Sequence, residues 1–254
     1  MRPTKPRRAA TGVAKRLFAL AGLEVSRRRP ASEPALSQFD RRRSRLMRDN
    51  GVDLVLDAGA SRGYYALSLR AAGFLGAIVS FEPLPESFRV LQQHAQGDAA
   101  WNLERVALGS ADREADIHVA GNAVSSSLLP MAERHLAAAP QAGYVADEHV
   151  RLARLDTVAG PYVAADTRVY LKMDVQGYEY QVLLGATEIL SRVVLIESEL
   201  SLCQLYDGQM LCVDMIGFLA RLGYDLVAVQ DAFVEAATGR TLQIDGIFAR
   251  REDA

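Results

Sequence analysis

Four residues have the types and spacing to form one ligand-binding corner: Asp57, Gly59, Gly63 and Glu82. In VDLVLDAGASRGYYALSLRAAG, residues 52–73, an apolar run ends on Asp57. Gly59, Ala60, Ser61 and Gly63 follow, and a helical apolar pattern then begins at Tyr65. A strand, a glycine turn and a helix in this order let a ligand come close to backbone that a Cβ would shield. The free N–H groups of the helix start then face the ligand. Glu82 closes a second strand over residues 77–81 and lies 25 residues beyond Asp57. An acid at that place accepts hydrogen bonds from ribose hydroxyls. The pattern is D-x-G-x-x-x-G, with Ser61 and Tyr64 where a dinucleotide fingerprint needs glycine. A pyrophosphate requires the closer glycine backbone, whereas a zwitterionic amino-acid group suits an acid and some space. The turn therefore predicts an S-adenosylmethionine pocket and disfavours NAD. The alternative role for Asp57 is a plain helix cap.

A second constellation lies in RVYLKMDVQGYEYQVLLGATEIL, residues 168–190. The spacing predicts a strand over 169–173 and a helix over 179–190, with Asp174 at the strand's carboxyl end. A buried strand over 193–196 ends in Glu197. Strand ends in open α/β sheets point into the ligand crevice. Lys172 sits on a strand among apolar residues, so it must either find a partner or snorkel outward. Asp174 either reaches the crevice or caps the following helix.

The elements that position these residues alternate along the chain. Strands are expected at 101–108, 116–120, 149–154, 224–229 and 245–250, and helices at 86–96, 132–139 and 210–222. Residues 141–148 read as exposed loop. The serines of SSSLLP, residues 125–130, either bind a ligand or cap the helix near 132, and capping is the expected role. Alternating strands and helices give a doubly wound α/β sheet.

With 254 residues and 50% hydrophobic content, the chain suits one large domain. Its net charge of −2 hides an asymmetry. Residues 1–50 hold 14 Lys and Arg against 4 Asp and Glu, and the remaining 204 hold 15 against 27. A basic arm over 1–50 thus precedes an acidic domain over 51–254. The arm's apolar run, residues 17–23, is too short to span a bilayer and lacks a signal-peptide pattern. Three readings stay open for it: a solvated leader, an amphipathic helix on an anionic membrane surface, or a nucleic-acid arm. Only Phe18 and Phe39 fall among its arginines, too few for a stacking surface, so no nucleic-acid partner is expected. Residues 41–48 are expected to open a helix ahead of the first strand. Cys203 and Cys212 lack metal-like spacing and read as reduced thiols, placing the chain in the cytoplasm, with the arm able to hold it at the inner face of a membrane.

Taken together, the stretches DAGASRGYYALSLR, IVSFEPLPESF, NLERVALG, SSSLLP, RLDTV, LKMDVQGYEYQVLLGA and DGIFAR resemble the FkbM family of S-adenosylmethionine-dependent O-methyltransferases. They run from about residue 53 to residue 250, and FEP followed by LKMDVQGYE is fairly specific. The fuller pattern is similar to members that methylate sugar hydroxyls of glycolipids and other glycosides. The family usually has Asn where Ser61 or Arg62 stands and Glu where Gln176 stands. The resemblance implies a Rossmann-like class I methyltransferase fold: a seven-stranded, mostly parallel, doubly wound sheet with its last strand antiparallel. It implies that Asp57, Gly59 and Gly63, with Ala60 and Ser61 in the same turn, shape the methionine end of the cofactor pocket, beside Asp174. Glu82 would hold the ribose. No metal is assigned. In-line transfer from a sulfonium needs a group to receive the acceptor's proton. Asp174 is the first candidate, followed by Glu197 and His149; His118 and His135 read as surface or packing residues. The expected acceptor is a glycoside or glycolipid. An RNA 2′-O-methylating Lys-Asp-Lys-Glu set would need a second lysine, and none follows Lys172. Amino-methylating enzymes carry an Asn/Asp-Pro-Pro-aromatic run where this chain has Asp174-Val175-Gln176-Gly177. A non-catalytic cofactor-binding scaffold is disfavoured by the completeness of the motifs.

Overall fold

Ser37 caps the first helix among the described residues, α1 (Gln38–Asp49): its hydroxyl accepts the Asp40 N–H, and the Asp40 carboxylate accepts the Ser37 N–H. That reciprocal pair satisfies two of the donors every helix start leaves open. The computed structural model describes residues 36–251, so the readings made for residues 1–35 lie outside the described residues. From α1 the chain enters β1 (Leu54–Ala58), α2 (Tyr64–Ala71), β2 (Ala77–Phe81), α3 (Pro85–Ala95) and β3 (Trp101–Glu104). After an excursion it returns through β7 (Val169–Met173), α6 (Glu179–Leu184), β8 (Val193–Ser201), α7 (Cys212–Arg221), β9 (Tyr224–Val234) and β10 (Thr241–Arg250).

Seven strands form one sheet in the order β3-β2-β1-β7-β8-β10-β9. Only β10 runs antiparallel to its neighbours. Its short turn from β9 allows no crossover, so the two must pair as a hairpin. This is the doubly wound sheet that the alternation of elements predicts, with the antiparallel last strand that the family resemblance implies. The chain leaves β1 toward β2 on one side and later returns to β7 on the other. The crevice of such a sheet opens where the direction of winding reverses, beyond the carboxyl ends of β1 and β7.

Each face carries its own core. Leu56, Val79, Leu171 and Ile196 pack with residues of α6 and α7 on one side. Val55, Ile78, Tyr170 and Leu195 pack against Phe39 and Met47 of α1 and Ala66 and Leu69 of α2 on the other. At about 1.5–3 kcal/mol per fully buried large apolar side chain, α1 is an integral layer of the domain. Cross-strand register places Ser80, Asp57, Lys172 and Glu197 in one row on the α1–α2 face.

Four elements differ from their expected form. Residues 101–108 split into β3 and a separate β4 (Ala107–Leu108), which joins a three-stranded sheet, β4-β6-β5. In that sheet β5 is Arg113–Ala120 and β6 is Tyr144–Ala153. The reading of 141–148 as loop is thus corrected: residues 144–148 are strand, and their side chains are largely solvent-facing, so no apolar alternation marks them. The helix expected over 179–190 ends at Leu184. A Cβ on Gly185 would lie 1.9 Å from the Gly109 carbonyl oxygen, so α6 terminates against backbone. Asp156 then accepts the N–H groups of Glu188 and Ile189 and starts a new turn. Ser125–Ser127 do not cap α4 (Glu133–Ala138), whose N-cap is Ala132 without a side-chain bond. Cys203 and Cys212 are both free thiols.

Candidate active site

A cleft of about 720 Å³, its open mouth included, lies at the carboxyl ends of β1, β2 and β7. Gly59 shapes its floor. Its φ is 79°, and an added Cβ would fall 1.9 Å from the Asp174 carbonyl oxygen. Only glycine lets the β1 turn lie against the end of β7. The N–H groups of Gly59 and Ala60 both donate to the Phe81 carbonyl at 3.0 Å, which ties the turn to β2. Gly63, also at positive φ, begins α2 beside Leu91 and Trp101.

Glu82 holds the next part of the turn. Its carboxylate accepts the Ser61 N–H at 2.8 Å and the Leu84 N–H at 2.9 Å. An ionised carboxylate offers about four acceptor positions, so half remain for a ligand. Glu82 lines the cleft, and burial pushes its carboxyl up to about 7. Asp57 stands behind the turn and does not line the cleft. It accepts the Ser80 hydroxyl at 3.0 Å, and Ser80 accepts the Trp101 indole N–H. Burial pushes Asp57 up to about 6, against the pull of Lys172. Its reach to a ligand therefore runs through the turn it supports.

Asp174 forms the opposite wall, its side chain 39% exposed. Lys172 Nζ lies 3.2 Å from Oδ2, and the Gln176 amide nitrogen lies 2.8 Å from Oδ1. Burial opposes the charge of Asp174, but Lys172, Glu199 and Gln176 outweigh it and keep the carboxyl below its usual range. Lys172 is itself buried; burial opposes its charge, and Asp174, Glu197, Glu199 and Asp245 outweigh that and raise it. It is the only lysine after residue 15 in an arginine-rich chain. Of the two roles open to it in sequence, the structure gives the paired one.

Three non-glycine residues among those described have positive φ: Ser61 at 48°, Ala123 at 63° and Gln176 at 55°. All three line the cleft. Such strain persists only where surrounding contacts impose it, and it clusters at functional sites. The contacts are identifiable. Ser127 donates its hydroxyl to the Gln176 carbonyl at 2.7 Å, and the buried Tyr206 hydroxyl donates to Gln176 Oε1 at 2.7 Å. Glu179 accepts the N–H groups of Val175 and Gly177, which closes the turn beneath them. Ser126 also lines the cleft and bonds the Ala120 N–H and the Ala123 carbonyl.

Two of the proposed proton acceptors lie elsewhere. Glu197 is 1% exposed and does not line the cleft. Arg43 binds both its oxygens, at 2.7 and 3.1 Å, and the hydroxyls of Tyr65 and Tyr170 complete the set. It is the anchor for α1. His149 is on solvent-exposed β6, where its ring bonds Asp116 at 2.9 Å; that bond, more than any other cause, raises its pKa. It does not reach the cleft. The sequence reading gave Tyr206 and Glu199 no role, named Gln176 only as a departure from the family pattern, and expected Ser127 to cap a helix, where it instead holds the Gln176 carbonyl. For Gln176 the adjoining Gly177 was a usable signal of a tight turn; for Tyr206 and Glu199 no local pattern existed.

The cleft suits S-adenosylmethionine by its chemistry. Glu82 offers acceptors for ribose hydroxyls, and Phe81, Leu84, Val106 and Leu108 supply apolar surface for a flat purine.

Residues 57–226 match the family described as methyltransferase FkbM domain. Among solved structures, the chain is similar to an FkbM methyltransferase from Methylobacillus flagellatus KT, with a TM-score of 0.47 and 13% identity over 77% of this chain; it spans only 43% of that protein. It is also similar to an rRNA methylase from Streptococcus thermophilus, with a TM-score of 0.47 and 11% identity over 86% of this chain and 100% of that one. A third is magnesium protoporphyrin IX methyltransferase from Synechocystis PCC 6803 with bound S-adenosylmethionine, with a TM-score of 0.44 and 12% identity over 98% and 100% of the two chains. No curated protein matches the sequence.

Proposed function

The chain belongs to the FkbM methyltransferase family, and from that premise we propose that it methylates a sugar hydroxyl of a glycolipid or other glycoside, with Asp174 receiving the proton. S-adenosylmethionine is the expected cofactor and, when bound, supplies an electrophilic methyl group. The observation that carries this reading is Asp174: an anionic carboxylate on the cleft wall, fixed by Lys172 and Gln176. A low carboxyl pKa is compatible with this role. A hydroxyl becomes strongly acidic as its oxygen gains a bond to carbon, so the chain needs a positioned acceptor more than a strong base. The proton passes from the acceptor oxygen to an Asp174 oxygen, and the negative charge on Asp174 disappears with it. Water exclusion falls to the apolar wall formed by Leu84, Ile117 and Leu128. The test is labelled methyl transfer against glycolipid, nucleoside and protein acceptors in parallel. Label in the glycolipid fraction supports the reading; label confined to nucleosides or proteins removes the sugar.

Glu82 gives a binding prediction. Glu82→Ala loses charged-acceptor bonds worth about 1.5–3 kcal/mol, or roughly 10–150-fold in affinity for S-adenosylhomocysteine. Ribose hydroxyls donate to the ionised carboxylate, and burial sets Glu82 at about 7. Below that pH binding must first remove a proton, so affinity falls by up to roughly tenfold per unit of pH as the pH drops. Calorimetry that finds a flat profile and an unchanged mutant would take Glu82 out of the site.

The arm is proposed to set location. Residues 1–35 hold 9 Lys and Arg against 2 Asp and Glu. Deleting them should preserve transfer to a soluble glycoside and weaken binding to vesicles containing anionic lipid. The cut must spare Ser37 and Arg43, which belong to the domain. Equal vesicle binding with and without residues 1–35 returns the arm to a solvated leader.

A further inference from the structure

We propose that Glu199 is the proton-carrying member of a carboxyl pair with Asp174, and that it positions Asp174 as the anion on the β7 side of the cleft. The inference rests on the reading of Asp174 as proton acceptor. It starts from the amide of Gln176. Its nitrogen lies 2.8 Å from Asp174 Oδ1 and 2.7 Å from Glu199 Oε2, one N–H for each carboxyl. Turned round, the amide would set its oxygen against both carboxyl oxygens; as placed, that oxygen instead accepts the Tyr206 hydroxyl at 2.7 Å. One nitrogen thus gathers two carboxyls, close enough that each shifts the titration of the other.

The charges facing the pair decide which carboxyl holds a proton. Lys172 on β7 contacts Asp174 Oδ2, Glu179 faces the pair from α6, and Tyr206 stands behind the amide. Asp245 on β10 is the cross-strand partner of Glu199. One ammonium therefore serves Asp174, Glu199 and Asp245, and two adjoining carboxyls with so little positive charge cannot both ionise. Lys172 favours the anion on Asp174, so the proton belongs on Glu199. Burial and then the Asp174 charge push the Glu199 carboxyl well up, in the same direction. Glutamine at 176 fits this arrangement: its amide donates to both members, where a third carboxyl would only repel them. The pair holds one proton at rest and two after the acceptor's proton reaches Asp174. The exposed edge of Asp174 then returns the second proton to solvent.

The test is infrared difference spectroscopy on the full chain with S-adenosylhomocysteine at neutral pH. Wild type minus Glu199→Gln should show the C=O stretch of a protonated carboxyl. In Asp174→Asn that group should titrate at lower pH, because the neighbouring charge is gone. A carboxylate signal for Glu199 in the wild type, or the same titration in Asp174→Asn, overturns the proposal. Transfer from labelled cofactor to a panel of methyl glycosides adds a readout that a packing role would not give. Glu199→Gln copies the protonated acid and should keep the rate within about threefold, whereas Glu199→Ala should lose roughly tenfold or more. Glutamine as harmful as alanine counts against the pair. Wild type that transfers to no glycoside counts against the sugar acceptor alone, and the infrared result still decides the pair.

Discussion

Asp174→Asn should lower methyl transfer by roughly 10²–10⁴-fold, the range for loss of a positioned proton acceptor, and leave cofactor affinity nearly unchanged. Asparagine keeps the shape of the side chain. Removing the charge does not strand Lys172, because Asp57, Glu197, Glu199 and Asp245 still surround it. The strained turn also survives, since Ser127, Tyr206 and Glu179 hold it independently of the Asp174 carboxylate. The lost rate would thus report on the proton. If S-adenosylhomocysteine binding collapses while residual turnover per bound cofactor is normal, Asp174 belongs to the cofactor pocket. If a chelator abolishes transfer by the wild type, a metal-lowered hydroxyl pKa is the better account of proton removal.

Arg43→Ala should destabilise the domain by about 3–5 kcal/mol, as removal of one partner from a buried ion pair does. Arg43 reaches Glu197 through two nitrogens, at 2.7 and 3.1 Å, and Asp40 through a third at 2.9 Å. Its guanidinium also lies over the rings of Phe39 and Tyr65. Alanine leaves Glu197 buried with only the hydroxyls of Tyr65 and Tyr170 as donors. It also frees α1 from the sheet face that carries Asp57 and Lys172. Urea unfolding measures the effect. The double variant Arg43→Met with Glu197→Gln should cost much less than the two single changes together, because no charge is then left unpaired. A shift below about 1 kcal/mol for Arg43→Ala would mean that the pair is solvated and α1 is peripheral.

The contrast between these two residues shows what the sequence disclosed. The turn beginning at Gly59, Glu82 and Asp174 were legible at the cleft because each follows a short buried strand, and strand ends in such sheets point at the crevice; Asp57 was legible as the strand end that supports the turn, but it stands behind the cleft. The same logic misplaced Glu197. It also ends a run of apolar residues, yet the strand continues to Ser201 and turns Glu197 toward the α1 face. Its partner Arg43 is 154 residues away, so no window of sequence contains both. His149 fell on an alternating pattern that correctly marks a strand, but periodicity does not say which sheet the strand joins. The arginine-rich stretch before residue 50 read as arm because its charge dominates its composition, although a helix was expected over 41–48 and one spans Gln38–Asp49. Phe39, Arg43 and Met47, which recur at helical spacing and are buried, were the quieter signal of a packed helix. Gln176 was marked by the adjoining Gly177 and by its departure from the family pattern, but its bridging of two carboxyls depends on β7 and β8 lying side by side.

The measurement that tests the central claim most directly is a single turnover of the full chain with methyl-labelled S-adenosylmethionine and a glycolipid acceptor. The label is located in the product by nuclear magnetic resonance, with Asp174→Asn run beside the wild type. The account predicts one methyl group on a sugar oxygen and a slowing of roughly 10²-fold or more in the variant. A methyl group on nitrogen or carbon, or equal rates for the two proteins, would contradict it.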